Sequence, residues 1–433
     1  MAEIVILGAG LGGTLAAYEI VGQLRSEDRL TVIGKGPVYD FYPSNPWVAV
    51  GWRERKDIEI DLTSMMKKKN IRFITTPAEL VDPAANKIII EGGEVVAYDY
   101  LVVSTGPELA FDEIPGLGPD AHTHSICETG HAEKTYVAFE EFCKNPGPIV
   151  VGAAQGVSCF GPSYEFAFIL DTELRKRKIR DKVAMTFITP EPYIGHLGLD
   201  GVGDTKGLLE SELRERHIKW VNNAKIKEVT PGHMTAEEVN EDGTPKKTHE
   251  LDFKFSMIMP PFRGIKATRG IEGLVNPRGF MVIDDHQRNP KYPNVFALGV
   301  CVAIPPTGPT AVPCGVPKTG FMIESMVTAT AQNIGALLRG NPATAKASWN
   351  AVCLADFGNG GVAFVAQPQI PPRNVNWAAE GKWVHLAKVG FEKYFLGKLR
   401  AGKSEAFFEN FVLKMMKISK LKDAPAVTRN AAE

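Results

Sequence analysis

The chain has 433 residues, 44% hydrophobic and 23% charged, with a formal net charge of −1. That length allows two or three domains with well-buried cores, and the near-neutral charge argues against nucleic acid as a partner. No apolar run reaches the roughly 18–20 residues that span a bilayer, so any membrane contact is expected to be peripheral.

The start, "MAEIVILGAG", runs into a strand with no basic leader, so no secretory segment is expected. "EIVILGAGLGGTLAAYEI" reads as an apolar strand, a turn with Gly8, Gly10 and Gly13, and a helix. Glycines at that spacing allow a tight turn, close approach of a pyrophosphate and close helix–strand packing, so a dinucleotide is expected here. The helix N-terminus favours the phosphate charge. The second strand ends in "LTVIGKG", with Gly34 and Lys35 where an acidic ribose ligand usually stands.

"YDYLVVSTGPELAF" reads as a strand ending at Thr105-Gly106, and "YPNVFALGVCVAI" as another that stops at Gly299. A long helix is expected from about Thr319. The distance between these strands suggests one domain interrupted by an insertion, which gives two tandem Rossmann-like domains. The boundaries expected are 1–119 and 281–345 for the first, 120–280 for the second, and 346–433 for a C-terminal region. The inserted unit opens with "IVVGAAQGVSCFGPSYEFA", again strand, turn and helix, but Ala154 replaces the middle glycine and Cys159 precedes the helix. Pro162 suits a first helical position, which puts the Cys159 thiol where a helix dipole would lower its pKa.

In the C-terminal region Trp383, Leu386, Ala387, Phe391, Tyr394 and Phe395 recur at helical spacing, as do Phe407, Phe408, Phe411, Val412, Met415 and Met416. Between Gly381 and Lys422 ten Lys and Arg face three Asp and Glu. Basic helices with an aromatic face suit a membrane interface; packing on the core with solvated lysines is the plainer alternative. The six cysteines, at 127, 143, 159, 301, 314 and 353, show no CxxC spacing, and HExxH is absent, so no metal is expected.

The tandem pattern, together with "PSNPWVAVGW", "VGAAQGVSCFGPSYEF", "EPYIGHLG", "PKTGFMIESM" and "WNAVCLADFG", resembles the bacterial sulfide:quinone oxidoreductases, FAD enzymes of the disulfide-reductase-like superfamily. The likeness runs over nearly the whole chain. It implies α/β architecture with two Rossmann-like domains and a C-terminal amphipathic membrane-attachment region. It also implies FAD on Gly8, Ala9, Gly10, Leu11, Gly12 and Gly13, lined by Gly34, Lys35, Pro77, Ala78, Thr105, Gly106, Gly299, Val300, Lys318 and Gly320. Val300 departs from the Asp common in the superfamily.

The resemblance carries a reaction: sulfide is oxidised to sulfur or polysulfide, and a membrane quinone is reduced. Cys159 and Cys353 match the redox pair, and Cys127 the third cysteine; Cys143, Cys301 and Cys314 are expected to be inert. HS⁻ would attack a sulfur bridge at Cys159 and displace Cys353 as a thiolate, although either cysteine could hold the persulfide. His131 and His196 match histidines near the sulfide pocket, where imidazole can shuttle a proton. Glu165 is either a nearby carboxylate or a helix-start residue. Phe391 and Phe408 resemble quinone-pocket positions. The resemblance also suggests a peripheral protein of a bacterial cytoplasmic membrane, on its periplasmic face, with homo-oligomers open. The alternatives are a type II NADH:quinone dehydrogenase, disfavoured because the Ala154 Cβ crowds a pyrophosphate, a thiol–disulfide reductase, disfavoured by the absence of a close Cys pair, and a membrane-attached flavin scaffold.

Overall fold

A computed structural model describes residues 1–405 and 419–422. The elements that position the site begin with β1 (Glu3–Leu7), α1 (Leu11–Ile20), β2 (Arg29–Ile33), α2 (Asn45–Val48), β3 (Arg72–Ile74) and β4 (Tyr100–Val103). They continue with α3 (Thr129–Lys144), β5 (Ile149–Ala153), α4 (Gly161–Lys176), β6 (Met185–Ile188), β7 (Ile218–Val221), β8 (Phe255–Met259) and β9 (Val295–Ala297). Last come α5 (Gly320–Leu338), β10 (Ala351–Asp356), β11 (Gly361–Gln367), β12 (Val375–Glu380) and α6 (Trp383–Arg400).

Two parallel sheets form the two Rossmann-like units. The first has the order β9-β4-β1-β2-β3 and the second β7-β6-β5-β8. Leu7 pairs with Ile33 on one side and Val103 on the other, and Val151 pairs with Phe187 and Met257. Strands covered on both faces need continuous apolar runs, and "EIVIL", "IVVGA" and "FSMIM" are such runs. In each sheet the first strand lies inside the order, so the chain leaves it in opposite directions to either side. A crevice opens at that switch point, beyond the carboxyl ends of the strands. The strand from residue 295 pairs with β4, Val295 opposite Leu101, which returns the chain to the first sheet after the second unit.

The third sheet, β10-β11-β12, is antiparallel, with Cys353 opposite Phe364. Helix α6 follows it and rests on β10 and β11. Its buried line is Val384, Lys388, Glu392, Phe395, Lys398 and Leu399. The expected aromatic face is therefore divided. Phe395 is buried, whereas Trp383, Leu386 and Phe391 are exposed, and the plainer alternative of solvated lysines fails for Lys388 and Lys398. Phe408 and its aromatic neighbours lie outside the described residues.

Candidate active site

The first turn is built by exclusion of side chains. Gly8 has φ +112°, and a Cβ there would stand 2.3 Å from the Ser104 carbonyl oxygen. At Gly13 a Cβ would stand 1.8 Å from the Gly8 oxygen, and at Gly12 2.5 Å from Leu298. At Gly10 and Gly106, by contrast, nothing lies within 4 Å of the Cβ position. Open space beside a helix N-terminus and a turn bare of side chains fits the pyrophosphate of FAD.

The other expected lining residues are distributed around that space. Ala9 and Leu11 flank the turn; Gly34 lies against Ala9, and Gly320 against Leu11. Lys35 is exposed where an acidic ribose ligand would stand, and Pro77 and Ala78 follow β3. Thr105 closes β4, next to Gly8. Gly299, with φ +80°, and Val300 follow β9. Lys318 precedes Thr319, whose hydroxyl caps α5 by accepting the Met322 N–H at 3.4 Å.

Three cysteines far apart in sequence share one half-buried environment in which the charge of one acts on the others. Burial pushes the Cys159 thiol up to about 11, with Glu165 adding to the rise and the Lys318 cation opposing it. Burial pushes Cys353 up to about 12 and Cys127 up to about 12, and in both the charge on Cys159 adds to the effect. The expected low pKa at a helix start is overturned. Helix α4 begins at Gly161 behind Phe160, and desolvation outweighs whatever the dipole contributes. Cys127 lies 3.7 Å from the Met259 sulfur. Lys318 is pushed down to about 8 by burial, opposed by Cys301 and Cys159. Of the remaining thiols, Cys301 also feels the Lys318 charge. Cys301 donates to the Val103 and Leu298 carbonyls and Cys314 to that of Val312, while Cys143 lies beside Arg177.

Glu165 is buried on the second turn of α4 and paired with the Lys388 ammonium from α6. Burial pushes its carboxyl up to about 7 against the pull of Lys388. Lys388 was missed in the sequence; its spacing of four from Val384 and Glu392 on the buried line was the available signal. His196 is buried and accepts the Gly198 N–H at Nδ1, 3.2 Å, so its proton sits on Nε2. Burial holds it below the usual histidine range. Its loop abuts Phe160 and Pro317, neighbours of Cys159 and Lys318. His131, on α3 one turn after Cys127, lies 3.8 Å from Glu128 and leaves a buried Nδ1 without a partner. Phe391 is 39% exposed, and its ring meets Phe41 at 6.1 Å and Phe395 at 5.7 Å.

The two parallel sheets, the glycine cradle and the Cys159 thiol at the second turn define a class of protein: a two-unit flavoprotein oxidoreductase. Residues 2–153 match the family model for pyridine nucleotide-disulphide oxidoreductases. Sulfide-quinone reductase of Aquifex aeolicus is 44% identical over 95% of this chain and 94% of its own. The crystal structure of the sulfide:quinone oxidoreductase from that bacterium superposes with a TM-score of 0.93 and 41% identity, covering 98% of this chain and 97% of that one. A Plasmodium falciparum NDH2 structure in complex with NADH shares the fold at 13% identity and a TM-score of 0.68, covering 96% and 98%. The chain belongs to the sulfide:quinone oxidoreductase family.

Proposed function

We propose that this protein oxidises sulfide at Cys159 and Cys353 and passes the electrons through FAD to a membrane quinone. The observation that carries the reading is the convergence of Cys159, Cys353 and Lys318 in one half-buried, mutually charged group beside the open glycine cradle. FAD, when bound, accepts an electron pair and hands it to quinone.

The rest of the work falls to the side chains. HS⁻ attacks the bridging sulfur on Cys159; one S–S bond forms, another breaks, and Cys353 leaves as a thiolate. A thiol held as high as Cys353 makes a reluctant leaving thiolate, so the Lys318 ammonium near Cys159 supplies compensating charge in a site of low dielectric. Glu165, poised near neutrality, accepts the proton that the incoming sulfide gives up. His131 beside Cys127, and His196 on the Cys159–Lys318 side, serve sulfide delivery and sulfur release. On the α6 side, Phe391 bounds the quinone site, with Phe408 as its expected partner.

Among the described residues no helix is long and apolar enough to cross a membrane. The exposed Trp383, Leu386 and Phe391 support attachment at one membrane surface, on the periplasmic face of a bacterial membrane, with sedimentation velocity deciding the oligomeric state. Anaerobic titration of the FAD-loaded protein with sulfide, then with a short-chain quinone, tests the activity. Loss of flavin absorbance with sulfide and its return with quinone are expected; reduction by NADH but not sulfide would overturn the reading.

A further inference from the structure

Two sequence runs, "PSNPWVAVGW" and "WNAVCLADFG", contribute only Cys353 to the chemistry above, yet they meet at one carboxylate. Asp356 ends β10 and its side chain is 0% exposed. Its Oδ2 accepts the Trp47 indole N–H at 2.7 Å. Its Oδ1 lies 2.9 Å from His385 Nδ1 and accepts the Gly358 N–H at 2.9 Å. The Asp356 charge also reaches Glu165 and raises that carboxyl's affinity for a proton. Trp47 in turn carries the Lys388 ammonium 5.3 Å from its ring centroid and the Arg53 guanidinium at 4.6 Å. His385 and Lys388 lie three residues apart, on one face of α6. The imidazole is 33% exposed, whereas Lys388 is 6% exposed.

A carboxylate that accepts several hydrogen bonds in a buried site is fixed in place. An anion so held beside a second buried carboxyl sets how tightly that carboxyl keeps its proton. We propose that Asp356 and His385 are a positioning pair for Glu165: Asp356 holds the Glu165–Lys388 ion pair behind Cys159, and His385, through Asp356, tunes the release of the Glu165 proton. This rests on the reading of Glu165 as the proton acceptor of the sulfide step. The charged groups that meet Glu165 from neighbouring elements are Lys388 of α6, Asp356 of β10 and Cys159 ahead of α4. His385 meets Asp356 and the edge of Trp47, at 6.3 Å between ring centroids.

The test follows sulfide-dependent reduction of a short-chain quinone by the FAD-loaded protein against pH. A parallel measurement follows the infrared carboxyl band that disappears in Glu165→Gln. Wild type is expected to show a pH limb that follows the Glu165 band and is absent in Glu165→Gln, beside limbs from Lys318 and from the ionisation of sulfide itself, which remain in that variant. Asp356→Asn keeps the shape and the backbone N–H but removes the charge, so limb and band should move to lower pH by about one unit. His385→Gln removes a basic partner of Asp356, so both should move to higher pH by about half a unit. Loosened packing lowers rates without opposite displacements. Displacements in the same direction, or none in either variant, overturn the proposal. Should Asp356→Asn not fold, the half-exposed variant His385→Gln decides alone: an upward shift supports the proposal and an unmoved limb overturns it. Survival in Glu165→Gln of the particular limb that follows the carboxyl band in wild type overturns the role of Glu165 and with it the proposal. A wild type that reduces no quinone with sulfide refutes the function itself.

Discussion

The molecule contains the same strand–turn–helix unit twice, and the two copies use their turns differently. After β1 the turn excludes side chains, with Gly8 and Gly13 locked against backbone and Gly10 facing open space. After β5 glycine does another job. A Cβ at Gly152 would stand 1.8 Å from the Ile188 carbonyl oxygen, so that glycine serves the contact between neighbouring strands rather than a ligand. Ala154 is fully buried, and the turn then delivers Cys159. One frame thus leaves open space at one turn and sets a cysteine at the other. What decides between them is which residue fills the space ahead of the helix.

The comparison breaks most visibly at the second turn. Cys159→Ala and Cys353→Ala should each lower sulfide-dependent quinone reduction by about 10³-fold or more while flavin absorbance stays with the protein; quinone assays and visible spectra check both halves. At the first turn the opposite pattern is expected. Gly10→Ala should weaken FAD retention about tenfold or more by crowding the pyrophosphate, yet leave the apo-protein within about 0.5 kcal/mol of wild type. Dialysis against apo-protein and thermal melts separate the two effects.

A third experiment concerns the acid behind the second turn. Glu191 accepts hydrogen bonds from Tyr164, Thr189 and the Leu197 N–H, and burial pushes it up to about 7 from 4.5. The folded state therefore binds this proton more tightly than the unfolded chain. The stability it contributes is full below about pH 4.5 and is lost as pH rises towards 7. Glu191→Gln, a neutral mimic, should gain on wild type across that window by a few kcal/mol at most, read as the difference between their melting midpoints at each pH. The smallest effect is expected for Ala154→Gly, which restores the middle glycine. It should cost about 1 kcal/mol for one lost buried methyl and leave NADH a poorer reductant than sulfide; efficient reduction by NADH would mean that Ala154 alone separates the two chemistries.

Much of this was readable in the chain. Glycine spacing after an apolar run reports backbone geometry directly, so the first turn and α1 stand where expected, and the cap at Thr319 is equally local. The choice of Cys159 and Cys353 came from family likeness alone, since no spacing rule connects residues that only the fold could bring together. The thiol pKa was misjudged because a helix-start position is visible in sequence and desolvation is not. Lys388, Asp356 and His385 were missed for a related reason. A lysine on an amphipathic helix reads as solvated until a buried carboxylate from another element, here Glu165 on α4, accounts for it.

The strand order of the first sheet also sets a timetable for biosynthesis. Strand β9 completes the edge beside β4, and Leu298 and Ile323 close over Gly12 at the cofactor turn. A nascent chain that has emerged only through the second unit therefore carries β1, β2, β3 and β4 with one edge unpaired and the glycine turn uncovered. Unpaired edges invite association between chains. Stable capture of FAD on the ribosome must wait until the segment around Ile323 has left the exit tunnel, so the N-terminal turn, made first, becomes functional only after three-quarters of the protein has been synthesised.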